Sequence, residues 1–395
     1  MARRLAVPSK EIQLHIVGPL GQFKASRVQR VSMDTNVPST TVDELGNAAH
    51  VGDVKDIPEV TLTFSAMDVG IKIFAAMTGK DASAYPGAGV DISQLGEIDA
   101  ILFVKDDLTS DYVKSAHARR MQIRDFTFNY SVDGESTEDY TAVGSEKRWF
   151  TRDVVVDTFT TGTTSFTLSQ TPVQLKNGNY LLSVILDGKY LDEVSGTPAA
   201  GQYSVSGTAL TTHDSRTSQV VVVYQANPAG TNWADVSDAS MPIAIRGMDA
   251  KITIAAADIP RVQSVSINGT LNVQPVREMG NRHIVGYQRQ VPEITGTITV
   301  LDTDTELISL LQYGVTASGT EYAPGEGCTE VTVPLVVTLY DPCEDEASVV
   351  TKTIYLDAIS ITGDSYSSTV NQNASQTFNF KSVSGTCVVY SGAMS

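Results

Sequence analysis

The chain carries one long passage twice, and this repeat constrains the fold more than any other feature. Residues 27–68 align without a gap with residues 261–302. About 16 of the roughly 42 aligned positions are identical, where unrelated sequences would share about two or three. The identical pairs include Arg27/Arg261, Glu44/Glu278, Gly46/Gly280, Asn47/Asn281, Pro58/Pro292 and Asp68/Asp302. The sequence therefore predicts two related folding units that share turn and surface residues as much as core residues.

Length and composition predict a folded protein of two or three domains. The chain has 395 residues, of which 42% are hydrophobic, enough for each domain to bury a core. No apolar run reaches the ~20 residues that a membrane helix needs. The N-terminal MARRLAVPSKEIQLHIVG has no sustained apolar stretch and no small-residue cleavage site, so we expect no secretory signal. The sequence thus favours assembly in a cytosol, without a membrane partner.

The net charge of −17 limits the partners of the chain. An acidic surface repels phosphate backbones, which argues against a conventional nucleic-acid-binding protein. A channel through which DNA slides is a different case, because favourable phosphate contacts would retard the passing strand. Simple solubility also explains the charge, and composition leaves both explanations open.

The two copies are expected to flank an inserted domain. We place the first copy at residues 1–148, the insert at 149–240 and the second copy at 241–395. The insert has short alternating runs of Thr, Ser, Val and Tyr, and Asn177-Gly178 and Asp187-Gly188 favour type I′ turns. These signals predict a small β-sandwich, which ends in a polar linker at residues 228–242.

Each copy is predicted to be a β-sandwich with one flanking helix, so the chain as a whole is mainly β. The segments EVTLTFSA (59–66) and EITGTITV (293–300) alternate threonine with apolar residues, as strands with one buried face do. Further strands are expected in ARRMQIRDFTFNYSV, TKTIYLDAISIT and SQTFNFKSVSGTCVVY.

A helix is expected after each of the two alternating strands. In DVGIKIFAAMTG, we expect Asp68 at the N-cap and Gly79 at the C-terminal end. In DTDTELISLLQYG, we expect Asp302 or Thr303 at the N-cap and Gly314 at the end.

A long polar segment lies between the first two strands of each copy, at residues 36–57 and 270–291. It contains DELGN in the first copy and REMGN in the second. Loops usually diverge fastest, so a loop that survives duplication is expected to touch another subunit. The alternative is an extended hairpin that packs back on its own domain. The candidate contact residues are Asp43, Glu44, Leu45, Gly46, Asn47, Arg277, Glu278, Met279, Gly280 and Asn281.

The sequence offers no catalytic or ligand-binding constellation. The five histidines are scattered, and none has the spacing of a zinc site with Cys328, Cys343 or Cys387, which we expect to be free thiols. Asp302-Thr-Asp304 lacks the glycine and the distal glutamate of a calcium loop, so a helix cap is its expected role. Phosphate-binding loops, dinucleotide fingerprints and nucleophile elbows do not occur.

Matched carboxylates in the two copies suggest one class of enzyme that must be weighed, a protease or glycosidase with one acid from each lobe. None of these carboxylates sits in an aspartate-threonine-glycine turn, and no other feature supports a sugar cleft. We therefore predict a protein without enzymatic activity, cofactor or metal. The matched pairs are Glu44/Glu278, Glu59/Glu293 and Asp68/Asp302.

Three features together resemble the tail tube protein (major tail protein) of long-tailed bacteriophages. They are the loop with DELGN or REMGN, the strand and helix of PEVTLTFSAMDVGIKIFAAMTG, and the closing QTFNFKSVSG. The resemblance covers both copies but not the insert. It implies a virion protein with two tube domains, and an immunoglobulin-like insert that decorates the outer face. In this family the sheets form rings, the rings stack, and the long loop and N-terminal segment bridge neighbours.

The resemblance also implies the partners. Rings of the family are typically built from about six tube domains, so a chain with two copies would form homotrimeric, pseudo-hexameric rings. The tube would conduct duplex DNA into the host without specific binding, and its inward-facing strand residues would be net acidic. Its other partners would be the tape measure, tail tip and terminator proteins. Flexible and contractile tails fit equally well. The alternative function is a repeated β-domain surface or adhesion protein with a carbohydrate-binding insert.

Overall fold

The computed structural model describes residues 12–45, 51–67, 70–80, 82–94, 96–105, 112–151, 154–226, 247–280, 284–301, 308, 331–341, 349–370 and 373–392. Strands dominate these residues, which confirms the mainly β prediction. The N-terminal segment, the linker after the insert, Cys328 and Cys343 lie outside them. Most of the second predicted helix, including its expected caps, also lies outside them, although Ile308 within it is helical.

The first copy folds into two sheets that share one long strand. The sheet orders are β2-β1-β8-β9-β11 and β3-β6-β10-β9, and β4 and β5 form a separate hairpin. The first half of β9 belongs to one sheet and its second half to the other. The strands are β1 (Ile12–Gly18), β2 (Gly21–Lys24), β3 (Val28–Asn36), β4 (Ser39–Val42), β5 (Gly52–Lys55), β6 (Glu59–Ala66), β7 (Val90–Asp91), β8 (Ile98–Lys105), β9 (Tyr112–Ser131), β10 (Thr137–Gly144) and β11 (Glu146–Phe150).

Helix α1 (Lys72–Thr78) follows β6, as predicted. Gly79 ends it with φ 68°, the left-handed conformation that glycine adopts without strain. Its N-cap is Ile71, which makes no side-chain cap hydrogen bond. The predicted N-cap at Asp68 is therefore wrong, and Asp68 itself lies outside the described residues. No capping side chain stabilises this short helix; the burial of Phe74 and Met77 stabilises it instead.

The insert consists of two four-stranded sheets, β12-β19-β14-β15 and β13-β18-β17-β16. Val184, Val222 and Leu210 lie in the core between them. The strands are β12 (Val154–Phe159), β13 (Ser165–Thr167), β14 (Leu181–Leu186), β15 (Lys189–Tyr190), β16 (Asp192–Glu193), β17 (Gln202–Ser206), β18 (Ala209–Thr212) and β19 (Val220–Gln225).

The two predicted turns of the insert have different outcomes. Asp187 (φ 47°) and Gly188 (φ 83°) both have positive φ between β14 and β15, which confirms the type I′ turn. At Asn177-Gly178 only the glycine has positive φ. The Gly178 N–H donates to the Leu175 carbonyl at 3.0 Å, so this connection is a turn followed by a left-handed glycine. Asn-Gly serves both forms, because the glycine satisfies the one position that both require.

Strands β14 and β19 are buried on both faces, where the sequence predicted alternation. One face belongs to the core of the insert, and the other packs on β1 and β8 of the first copy. There, Ile185 and Val223 share a cluster with Ile101. A strand buried on both faces has no reason to alternate, and this accounts for the runs LLSVIL and VVVVYQ.

The second copy repeats the sheets of the first. Their orders are β21-β20-β26-β27-β29 and β22-β25-β28-β27, and β23 and β24 form the separate hairpin. The strands are β20 (Ala250–Ile254), β21 (Ala257–Asp258), β22 (Val262–Thr270), β23 (Val273–Val276), β24 (Gly286–Arg289), β25 (Glu293–Leu301), β26 (Val333–Tyr340), β27 (Val350–Ser367), β28 (Ser375–Ser382) and β29 (Val388–Ser391).

The two copies also share their irregularities, so equivalent positions can be assigned. Arg27 (φ 50°) and Arg261 (φ 58°) both have positive φ, and a register shift follows each of them. The long strands β9 and β27 correspond at an offset of 238, because their registers match strand by strand. The register runs Phe64↔Tyr140↔Phe126 in the first copy and Ile298↔Phe378↔Asp364 in the second.

Two strand pairings join the two copies. The shorter one sets β7 of the first copy antiparallel to β29 of the second, with Val90 opposite Val389. The second half of β9 is antiparallel to β22, with Phe128 opposite Ile267. This pairing creates one continuous sheet in the order β3-β6-β10-β9-β22-β25-β28-β27. A single hydrophobic cluster contains residues of both copies, among them Leu62 and Phe378. The repeat therefore folds around a shared core, while the predicted domain boundaries stay a prediction.

Candidate assembly interface

The candidate contact loops are hairpins with exposed tips, but the base of the second hairpin packs on the first copy, where Arg289 of β24 donates to the Ser93 carbonyl at 3.0 Å. Strands β4 and β5 are exposed at every position, and at the hairpin tips Leu45 and Met279 are fully exposed. The described candidate residues, Asp43, Glu44, Leu45, Arg277, Glu278, Met279 and Gly280, are all exposed, whereas Gly46, Asn47 and Asn281 lie outside the described residues. Arg277 approaches Asp56 of the other hairpin at 3.3 Å. The structure thus brings the hairpins of the two copies side by side, and their contact with another subunit stays a prediction.

The junction between the copies has a polar face and an apolar face. On the polar face, Thr127 donates to Asn268 at 2.9 Å and Ser266 donates to Asn129 at 2.7 Å. On the other face, Phe128 and Ile267 are both fully buried. Side chains on opposite faces follow from the alternation of a strand, so the same stretch of sheet packs a core and presents a polar surface.

A buried ion pair lies across this junction. Lys352 of the second copy donates to Glu138 of the first, and both side chains are fully buried. Tyr140 and Tyr130 also donate to Glu138, at 2.5 and 3.1 Å. The Lys352 ammonium lies 4.7 Å from the centre of the Phe128 ring. Burial, together with the charge of Glu138, raises the pKa of Tyr130 well above its usual range, so this hydroxyl keeps its proton and remains a donor.

Sequence reasoning missed this pair, although a signal for it exists. Lys352 lies on the same face of its strand as Ile354 and Leu356, and Glu138 lies on the same face as Tyr140. A charge in the apolar row of a strand predicts a buried partner of opposite sign, because an unpaired buried charge is costly. Which residue is the partner depends on tertiary structure.

The counterparts of the two junction strands are open edges. In the described part of the chain, β3 pairs only with β6, and the second half of β27 pairs only with β28. Their counterparts β22 and β9 are paired on both sides. Phe128 is fully buried, whereas its counterpart Tyr366 is 59% exposed. Each edge of the continuous sheet is therefore a strand whose counterpart in the other copy is paired at the junction between the copies.

The polar face of the continuous sheet is rich in hydroxyl and amide groups. Alternation places its apolar residues on the opposite, core-facing side. Its charged side chains comprise five acids and three bases, one of which, Arg124, pairs with Asp125 at 2.7 Å. These charged residues are Arg30, Asp34, Glu59, Arg124, Asp125, Asp139, Glu293 and Lys381. The face is thus polar and weakly acidic.

A buried polar cluster anchors the insert to the first copy. Tyr190 of the insert donates to Asp99 at 2.8 Å, and the same carboxylate lies 2.8 Å from His117 and accepts the Arg120 N–H at 2.9 Å. Burial of Asp99 raises its pKa, but the charge and the hydrogen bond of His117, together with the hydrogen bond from the Arg120 N–H, outweigh burial and hold the pKa below its usual value. The insert is therefore fixed by both apolar packing and a charged cluster.

The remaining titratable groups suggest no further chemistry. Cys387 is a buried free thiol, and burial raises its pKa. Within the described residues, no group of three or more His, Cys, Asp and Glu side chains could hold a metal ion. No helix in the same part of the chain is long and apolar enough to cross a membrane.

Comparison with solved structures gives a weak likeness. No family model matches the chain, and no curated protein matches it. Among the solved structures that match is the cryo-electron microscopy structure of the anti-feeding prophage cap, a tube terminating cap. It is 12% identical over 38% of this chain and 95% of its own length, with a TM-score of 0.27. At this TM-score the likeness adds nothing to what the sheets themselves show.

Proposed function

We propose that the chain is a non-catalytic virion protein that assembles head-to-tail into the rings of a phage tail tube. The proposal is carried by the two open edges, β3 and the second half of β27, which are counterparts of the strands joined at β9 and β22. The same register between neighbouring chains would set Ser32 opposite Ser367 and Met33 opposite Tyr366. The junction between the two copies within one chain, the internal junction, thus serves as the template for the junction between neighbouring chains, the external junction.

A head-to-tail contact of this kind closes into a ring when its rotation divides a full turn. Because the repeat makes the internal and external junctions equivalent, each chain would contribute two similarly rotated domains to the ring. Three chains would then give the pseudo-hexameric ring that the resemblance implies. Closure also removes the unpaired edges, which otherwise promote aggregation.

The remaining surfaces suit a conduit. The polar, weakly acidic face of the continuous sheet would line the channel, where few cations are available to bind passing phosphates. The exposed hairpins, with Leu45 and Met279 at their tips, would contact the next ring. Tape measure, tail tip and terminator proteins would be the partners at the ends of the tube.

Negative-stain electron microscopy of the concentrated protein, with size-exclusion chromatography and light scattering, tests the proposal. We expect rings or striated hollow tubes whose rings have the mass of three chains. A protein that remains a monomer at every concentration, also in the presence of preformed tail-tip complexes, would contradict the proposal and favour the adhesion alternative.

Two matched variants test the edge pairing itself. Ser32 and Ser367 lie at opposite edges of the continuous sheet, about 34 Å apart at ~4.8 Å per strand, so they meet only between chains. The variant Ser32→Lys with Ser367→Lys places like charges opposite each other and should prevent assembly. Ser32→Lys with Ser367→Glu should assemble. Equal assembly of the two variants would refute the proposed register.

A further inference from the structure

The external junction has a lysine at the position of the buried Lys352. Lys114 corresponds to Lys352 at the offset of 238, because Lys114 lies opposite Val104 and Lys352 opposite Leu339, which are equivalent strand positions. Lys352 is fully buried against the other copy, whereas Lys114 is exposed. The surface around Lys114 is thus the surface that the preceding copy covers at the internal junction.

A prominent aromatic side chain lies beside Lys114. The Lys114 ammonium is 4.7 Å from the centre of the Trp149 ring. Trp149 and Val389 are equivalent, because they lie opposite Ala116 and Ile354 in their respective sheets. Val389 is fully buried, but Trp149 is 52% exposed. An exposed tryptophan at a position that is buried in the repeat indicates a surface that becomes covered on association.

The groups that Lys352 meets are replaced in the second copy. Glu138 corresponds to Gln376, and Phe128 corresponds to Tyr366. A neighbouring chain that docks by the same register would therefore offer Lys114 an aromatic ring but a neutral amide. Burying a lysine without a carboxylate is costly, so a direct copy of the internal junction would be unfavourable.

A carboxylate nevertheless lies next to this amide. Asp364 occupies the position of Phe126 on the edge strand, and Gln376 donates from Nε2 to Asp364 Oδ2 at 3.2 Å. In the internal junction, the rings of Phe126 and Phe128 are 5.1 Å apart, so their counterparts Asp364 and Tyr366 are close neighbours. The acid has moved by one strand, from β10 in the first copy to the edge of β27 in the second.

We propose that Lys114 and Trp149 of one chain form the docking surface for Asp364 and Tyr366 of a second copy of this chain. On association, the Lys114 ammonium lies between the Trp149 ring and the neighbouring chain's Tyr366 ring and pairs with the neighbouring chain's Asp364. This contact rests on the proposed head-to-tail assembly. It makes the external junction chemically distinct from the internal one, which keeps its acid on β10, and so specifies which edges meet.

A charge-swap experiment tests the contact in the full chain. The variants are Lys114→Asp, Asp364→Lys and the double variant, with Lys189→Asp on the insert as the matched control. Each single variant should raise the concentration needed for ring formation at least tenfold, because like charges then face each other. The double variant should recover most of this loss, and Lys189→Asp should assemble as the unaltered chain does. Ring formation is measured by sedimentation and electron microscopy.

Trp149 provides a second readout. Its fluorescence should shift to shorter wavelength as rings form, and the shift should be absent in Trp149→Phe. Circular dichroism verifies that each variant is folded; if Lys114→Asp is not, Lys114→Gln and Asp364→Asn carry the same comparison. If the unaltered chain forms rings and the single variants do so equally well, the contact is wrong while the assembly stands. If the unaltered chain forms no rings even with preformed tail-tip complexes, both the contact and the proposed function are refuted.

Discussion

Replacing Lys352 with methionine should weaken the internal junction far more than its position on a long strand suggests. The substitution keeps the length of the side chain but leaves the fully buried Glu138 without its cation. Removing one partner of a buried pair costs about 3–5 kcal/mol. The hydroxyls of Tyr130 and Tyr140 still donate to Glu138, so we expect a value near the lower limit, about 3 kcal/mol.

Hydrogen exchange measured by mass spectrometry locates this loss. Below the concentration at which rings form, about 3 kcal/mol corresponds to exchange roughly two orders of magnitude faster in peptides that cover β22 and the second half of β9. Lys114→Met is the control, because Lys114 is the exposed counterpart and should change exchange by less than about twofold. Combining Lys352→Met with Glu138→Gln should restore most of the protection, since the buried set is then neutral. Equal exchange in Lys352→Met and Lys114→Met would refute the reasoning.

Three further predictions concern the insert and the hairpins. Tyr190→Phe removes the hydrogen bond to Asp99 and should destabilise the docking of the insert by about 1–3 kcal/mol in urea titrations, whereas Tyr180→Phe, at an exposed position, should change it by less than about 0.5 kcal/mol. Because the pKa of Asp99 in the folded state lies below that of a free aspartate, its contribution to stability is present above the unfolded-state pKa and is lost as the pH falls through the lower folded-state pKa; Asp99→Asn should remove this acid-dependent step from a thermal unfolding series. Deleting residues 42–54 should leave a folded chain that no longer polymerises, and normal tubes from this variant would contradict the contact role of the hairpin.

The sequence predicted the strands that have one buried face and one exposed face. The segments that became β6 and β25 alternate threonine with apolar residues, and the structure places both strands as predicted, with β25 extending to Leu301. Alternation reports the contrast between a buried face and an exposed one. For the same reason it was uninformative in β14 and β19, whose second face is covered by the first copy rather than by water.

The candidate interface could be predicted only in part from the sequence. The hairpins with Glu44 and Glu278 stood out because the repeat preserves them. The junction did not, because the pairing of Phe128 with Ile267 joins strands far apart in the chain, and long-range pairing leaves no local period. The exposed Trp149 and Tyr366 gain significance only when their buried counterparts are known. Within one sequence, that comparison required the registers of both copies.

The packing of the insert has a consequence for how the protein can change. Val17, Ile101 and Phe103 of the first copy share a hydrophobic cluster with strands of the insert, and removing the insert would expose them as one apolar surface. A shortened descendant would need polar substitutions at these positions before, or together with, the loss of residues 154–226. The extra domain has thus become difficult to discard, whether or not it still performs the task for which it was first acquired.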